Sequence, residues 1–190
     1  MQLGASDRQQ LLRLARCSIQ DALHHDGSLA RALEETRIGP PLHERRGLFV
    51  TLKLRDTENT GPVERLRGCI GNLAPETTIV DAVLDLAPRA AFQDPRFAPL
   101  EQGELPLVRI SISILSPPRR LADTDELELG RDGVQLVHGS RRAVFLPQVA
   151  VEQGWTVKQL MDQLARKAGL PRGDWRDAEL SSFRAEAFSE

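Results

Sequence analysis

A cysteine set between two glycines and preceded by an arginine, Leu66-Arg67-Gly68-Cys69-Ile70-Gly71, gathers the residue types in this chain best suited to covalent chemistry. A thiolate is a nucleophile and a metal ligand, and a nearby guanidinium favours it over the thiol. The surrounding residues read as a strand. Side chains alternate faces along a strand, so Arg67, Cys69 and Gly71 are expected on one face and Leu66, Gly68 and Ile70 on the other. Glycine weakens a strand interior, and it often marks a bulge or a close approach of a ligand or a second backbone. Cys69 is therefore the candidate catalytic residue, with Arg67, Gly68 and Gly71 beside it as candidate substrate-binding positions and their backbone amides as oxyanion donors. The alternative is structural, because free cysteine usually behaves as a small buried hydrophobe.

Three more positions carry polar chemistry. Asp94-Pro95-Arg96 offers a carboxylate and a guanidinium on a rigid turn, suited to acid–base work or to clamping a substrate; the same residues also form Asx turns that merely pin a loop. Arg67 can hold an anion, activate the thiol, or pair with an acid such as Asp94. Gln148, after a proline at the end of an expected strand, has donors and acceptors for a polar ligand. Of the four histidines, His24 and His25 are adjacent on an expected helix and cannot turn both rings to one face, and none is near Cys69 in sequence. Cys17 and Cys69 form no CxxC or CxxH pair. No metal site is expected, and no P-loop, GxGxxG, HExxH or GxSxG motif calls for a cofactor.

The chain has 190 residues and a formal net charge of −2, long enough for a substantial core and without global attraction to nucleic acid or anionic membrane. With no targeting segment, no membrane span and no disulfide framework, a soluble cytoplasmic protein is expected. Ser6-Asp7-Arg8-Gln9 has the form of a capping box and opens an amphipathic helix to about His24. Gly47 to Leu54 alternates as a strand, and a polar connection through Asp56, Asn59, Gly61 and Pro62 returns the chain into the cysteine strand as a hairpin. Thr78 caps a helix that Pro88 should kink or end. Val108 to Leu115, V-R-I-S-I-S-I-L, is a strict alternation and reads as a strand. Gly139-Ser140 suits a type II′ hairpin, and Thr156 to Gln159 is a second capping box, for a helix stopped at Gly169. Helices at both ends with hairpins between predict an α+β fold with a mainly antiparallel sheet.

The motif Leu66 to Gly71 resembles the signature of the AMMECR domain family, whose microbial members are called AmmeMemoRadiSam system protein A. The similarity continues through Gly47 to Leu52, Ala90-Ala91-Phe92, Asp94 to Phe97, Leu115 to Pro118, Leu146 to Val149, Gly154-Trp155 and Lys167 to Leu170, so one AMMECR domain is expected over residues 1–190. One departure is Ser111, where the family usually carries a glutamate. The resemblance implies an α+β protein of two intimate lobes, with the RGCIG segment lining a cleft that takes a small molecule or a peptide. It also implies an association with a Memo-like protein and a radical SAM protein. Two functions follow as expectations: an enzyme, or enzyme component, acting on a small acidic or carbonyl-bearing substrate, and a non-catalytic accessory module for those partners.

Overall fold

The computed structural model describes residues 3–55, 64–74 and 76–190, so the polar connection through Asp56 to Pro62 lies outside the described residues. The chain divides into two compact units, residues 1–114 with 186–190 and residues 115–185, each with its own hydrophobic core. The fold is α+β with antiparallel strand pairing.

In the first unit, helix α1 (Ala5–His24) is followed by a short helix α2 (Ser28–Glu35), strand β1 (Leu48–Arg55), strand β2 (Glu64–Asn72), helix α3 (Ile79–Phe92) and strand β3 (Val108–Leu115). β1 lies between β2 and β3, antiparallel to both. The alternation read from sequence decides the two faces. Leu48, Val50, Leu52 and Leu54 of β1 and Val108, Ile110, Ile112 and Ile114 of β3 are buried in the core shared with α1 and α3. Phe49, Thr51 and Lys53 take the opposite face, with Arg109, Ser111 and Ser113 facing them in register.

Two local expectations are corrected. The cap of α1 is Gly4, two residues before the expected serine; its N–H donates to the Asp7 carboxylate at 3.2 Å. α3 runs through Pro88 to Phe92, because Ala87, Ala90 and Ala91 continue its buried stripe and packing outweighs the one backbone bond that proline removes. The last element is a strand, β7 (Glu179–Ser189), in a stretch for which the sequence carried no expectation. Its alanines, serines and glutamates carry little strand propensity of their own.

The second unit holds strand β4 (Arg119–Arg120), the hairpin of β5 (Asp132–His138) and β6 (Arg141–Phe145), helix α4 (Pro147–Glu152), helix α5 (Val157–Lys167) and the first part of β7. β5 pairs with β6 and with β7. Gly139 alone at the hairpin tip takes a positive φ, as a II′ turn requires. Thr156 and Gln159 form the expected capping box, and Leu160, Met161 and Leu164 fill the core against Val134 and Leu136.

Candidate functional site

The register of β1 against β2 slips at the motif. Leu52 faces Gly68 and Lys53 faces Leu66, which leaves Arg67 as the extra residue of a β-bulge. A bulge resets the alternation. Leu66 now shares the face of Cys69, and the expected grouping of Arg67 with the thiol is broken. The Arg67 side chain is buried and four of its five N–H donors are engaged: Nε and Nη2 donate to the two Glu104 carboxylate oxygens at 2.8 Å each, Nη1 to the Ala98 carbonyl at 2.8 Å and Nη2 to the Pro99 carbonyl at 3.1 Å. This bidentate pairing raises the Arg67 pKa and lowers that of Glu104. The acid that Arg67 meets is Glu104, where sequence named Asp94.

Gly68 faces the core opposite Leu52, and a β-carbon there would stand 2.0 Å from the Ala90 carbonyl oxygen of α3. The glycine lets helix and strand backbones touch. Gly71 faces the other way, opposite Phe49, and its β-carbon would fall 2.1 Å from a Phe49 ring carbon. Phe49 occupies the space that the missing side chain leaves.

Asp94 and Arg96 act on the backbone of Cys69. Asp94 Oδ2 accepts the Cys69 N–H at 2.8 Å, and Arg96 Nη2 donates to the Cys69 carbonyl at 3.3 Å. The two side chains are themselves paired, with Arg96 Nη2 to Asp94 Oδ2 at 2.7 Å and Nε to Oδ1 at 2.9 Å. Asp94 Oδ1 also accepts the Arg96 N–H at 3.1 Å, which is the Asx turn. The Arg96 guanidinium, helped by the Cys69 and Arg96 amides, holds the buried Asp94 carboxyl far below the usual carboxylate range despite its burial. β2 has β1 on one side only, so the pair imitates a neighbouring strand at its open edge, one acceptor and one donor.

The Cys69 side chain lies on the opposite face from the core, partly exposed, and Thr51 Oγ1 donates to its sulfur at 3.3 Å. Register sets Thr51 directly between Cys69 on β2 and Ser111 on β3, so a thiol and two hydroxyls form one row across three strands. The adjacent row is Leu66, Lys53 and Arg109. Glu64 pairs with Arg109 at 2.8 Å and with Lys53 at 3.8 Å, and the Arg109 bond holds its pKa below normal. Thr51 and Lys53 escaped the sequence reading, and Ser111 entered it only as a departure from the family's pattern. Their signal was the strict alternation of β1 and β3, but register between strands is set in three dimensions. Among the described residues no histidine and no carboxylate bonds to the Cys69 side chain. None of them forms a cluster that would hold a metal ion, and no helix is long and apolar enough to cross a membrane.

The first unit thus brings together Arg67, Gly68, Cys69, Gly71, Asp94 and Arg96. Gln148 belongs to the second unit, exposed on the first turn of α4, after the proline that follows the end of β6 as expected.

The comparisons agree with this architecture. A protein of Thermococcus onnurineus is 37% identical over 188 residues, covering 95% of this chain and 88% of its own. Protein MK0488 of Methanopyrus kandleri is 36% identical over 197 residues, covering 99% and 90%. The crystal structure of the uncharacterized protein PH0010 from Pyrococcus horikoshii superposes with a TM-score of 0.82 at 30% identity, over 100% of this chain and 94% of that one. The AMMECR1 family model matches residues 12–188, so that motif, bulge and flanking elements all fall inside the match and the chain belongs to the AMMECR1 family.

Proposed function

We propose that this protein is the ligand-holding component of a cytoplasmic small-molecule reaction, binding a small acidic or carbonyl-bearing molecule or peptide on the sheet face around Cys69. The reactive chemistry then comes from a partner such as a Memo-like or radical SAM protein. The row Cys69–Thr51–Ser111, with Lys53 one rung away, carries this reading. It offers two hydroxyls, a thiol and an ammonium to a carbonyl or carboxylate oxygen. Among the described residues it offers the thiol no histidine or carboxylate as a base, and the bulge turns Arg67, whose guanidinium would favour a thiolate, to Glu104. Asp94 and Arg96 fix the Cys69 backbone, so they position the face, and Gly68 and Gly71 shape it.

The thiol-catalyst reading keeps one observation in its favour, the Thr51 hydroxyl directed at a partly exposed sulfur. Cys69→Ser and Lys53→Met separate the two. Serine preserves shape and polarity while being a far weaker nucleophile. For a holding role, Cys69→Ser leaves the metabolite profile of cells and the association with a Memo-like partner within twofold of wild type, while Lys53→Met alters both. Loss of the wild-type profile in Cys69→Ser, with partner association intact, overturns the proposal and makes the thiol catalytic.

A further inference from the structure

A second cavity, of about 210 Å³, lies in the first unit among the start of β1, the end of β2 and the stretch of α3 from Ala82 to Arg89, with Gly71 as part of its lining. Its floor is apolar, made by Leu48, Ala82 and Leu86. Its rim carries both signs of charge. Arg46 and Arg89 line it, each with one acid partner: Glu44 receives Arg46 at 2.9 and 3.1 Å, and Asp85 receives Arg89 at 3.0 Å. A guanidinium has five N–H donors, so each arginine keeps donors beyond those bonds. Asn72 also lines the cavity; its Oδ1 accepts the Ala74 N–H at 3.0 Å, which leaves its amide N–H₂ as a further donor. Two carboxylates line it as well, Asp85, which Arg89 takes up, and Glu76, whose side chain makes no ion pair or hydrogen bond among the described residues.

We infer that this cavity binds a free aliphatic amino acid. Two guanidiniums and an amide suit a carboxylate, Glu76 suits an ammonium, and the Leu48, Ala82 and Leu86 floor suits a branched hydrocarbon side chain. The cavity, of about 210 Å³, has room for a ligand of amino-acid size. A simple inorganic anion would leave the apolar floor and Glu76 without a partner. The cavity shares Gly71 with the strand that carries Cys69, but none of Cys69, Thr51, Ser111 and Lys53 lines it, so variants of that row tell the two sites apart.

Titration calorimetry on the full chain with L-leucine, 4-methylpentanoate and 3-methylbutylamine tests it, the last two being leucine without its ammonium and without its carboxylate. L-leucine is expected to bind at least tenfold more tightly than either. Arg46→Met weakens leucine and 4-methylpentanoate together by about tenfold, whereas Glu76→Gln weakens leucine and leaves 4-methylpentanoate unchanged. Glu76 is exposed and makes no contact of its own, so Glu76→Gln folds as wild type even where Arg46→Met does not. Cys69→Ala keeps full leucine affinity. No heat with leucine at 10 mM, or equal affinity for all three probes, overturns the assignment. So does leucine binding that Glu76→Gln leaves untouched.

Discussion

At Gly68 a methyl group would collide with the Ala90 carbonyl, and at Gly71 with the Phe49 ring, so the motif's two glycines answer to different neighbours. Backbone yields less than a side chain. Gly68→Ala is expected to cost about 3 kcal/mol, at or above the usual cost of overpacking, and no single second substitution should restore it. Gly71→Ala should cost about 1–2 kcal/mol alone and markedly less in a Phe49→Ala background, because the clashing ring is then gone. Urea melts of the two singles and the double read both numbers; a cost at Gly71 that persists without Phe49 would remove the ring from the explanation. Arg67 gives a second test at this scale. Arg67→Met strands Glu104 and two carbonyls, and is expected to lower stability by roughly 3 kcal/mol, the low end for a broken buried pair, since Glu104 keeps some solvent. Cys69 alkylation by iodoacetamide should keep its wild-type rate in this variant at temperatures well below melting. A severalfold slowing would show that Arg67 does activate the thiol. Cys17 should react more slowly than Cys69 in both, since burial pushes its thiol pKa up.

The loop that carries Asp94 and Arg96 meets strand β2 through side chains: carboxylate and guanidinium from the loop onto the Cys69 backbone, and Arg67 from the strand onto the Ala98 and Pro99 carbonyls. Such stitching is sensitive to acid where a backbone ladder would not be. The Asp94 carboxyl has a folded pKa far below its unfolded value near 4, so its stabilisation is complete at neutral pH and is lost progressively as pH falls below about 4. Asp94→Asn is therefore expected to be about 1–2 kcal/mol less stable than wild type at pH 7, with the gap closing as the pH is lowered toward 2. A gap that stays constant across that range would mean that the carboxylate charge is not what holds the loop. Much of this element was visible beforehand. The alternation of V-R-I-S-I-S-I-L gave β3 to the residue, and Thr78 and Thr156 capped the helices they were expected to cap. The Asx turn at Asp94 could be read from Asp-Pro-Arg because its bonds are local. The bulge at Arg67 could not, because it is defined by the residues facing it on β1. For the same reason Thr51 and Ser111 looked like ordinary strand residues until pairing set them beside Cys69. β7 stayed hidden because its pairing partners, and not its own residues, make it a strand.

The second unit, residues 115–185, is an insertion within the chain of the first, and its two ends are tied together: the Ser116 N–H donates to the Arg184 carbonyl at 2.8 Å, and the Arg184 N–H to the Ser116 hydroxyl at 2.9 Å. A segment with joined ends and a separate core, built on Val134, Leu136, Met161 and Leu164, has what an independent folding unit needs, though its size makes it marginal. Expressed alone, residues 115–185 are expected to give a cooperative thermal transition by circular dichroism. A featureless, non-cooperative melt would show that its core depends on the rest of the chain. The first unit stands differently. It is closed by residues 186–190, where the Glu190 N–H donates to the Ile110 carbonyl and the Glu190 carboxylate accepts from Arg16 and from the Ile110 N–H. During synthesis, then, the isoleucine-rich strand β3 emerges long before the residues that cover its free edge. The ribosome must make the whole inserted unit in between. Throughout that interval the edge of β3 presents unpaired backbone to any other nascent chain, which makes it the segment most open to mispairing before synthesis is complete.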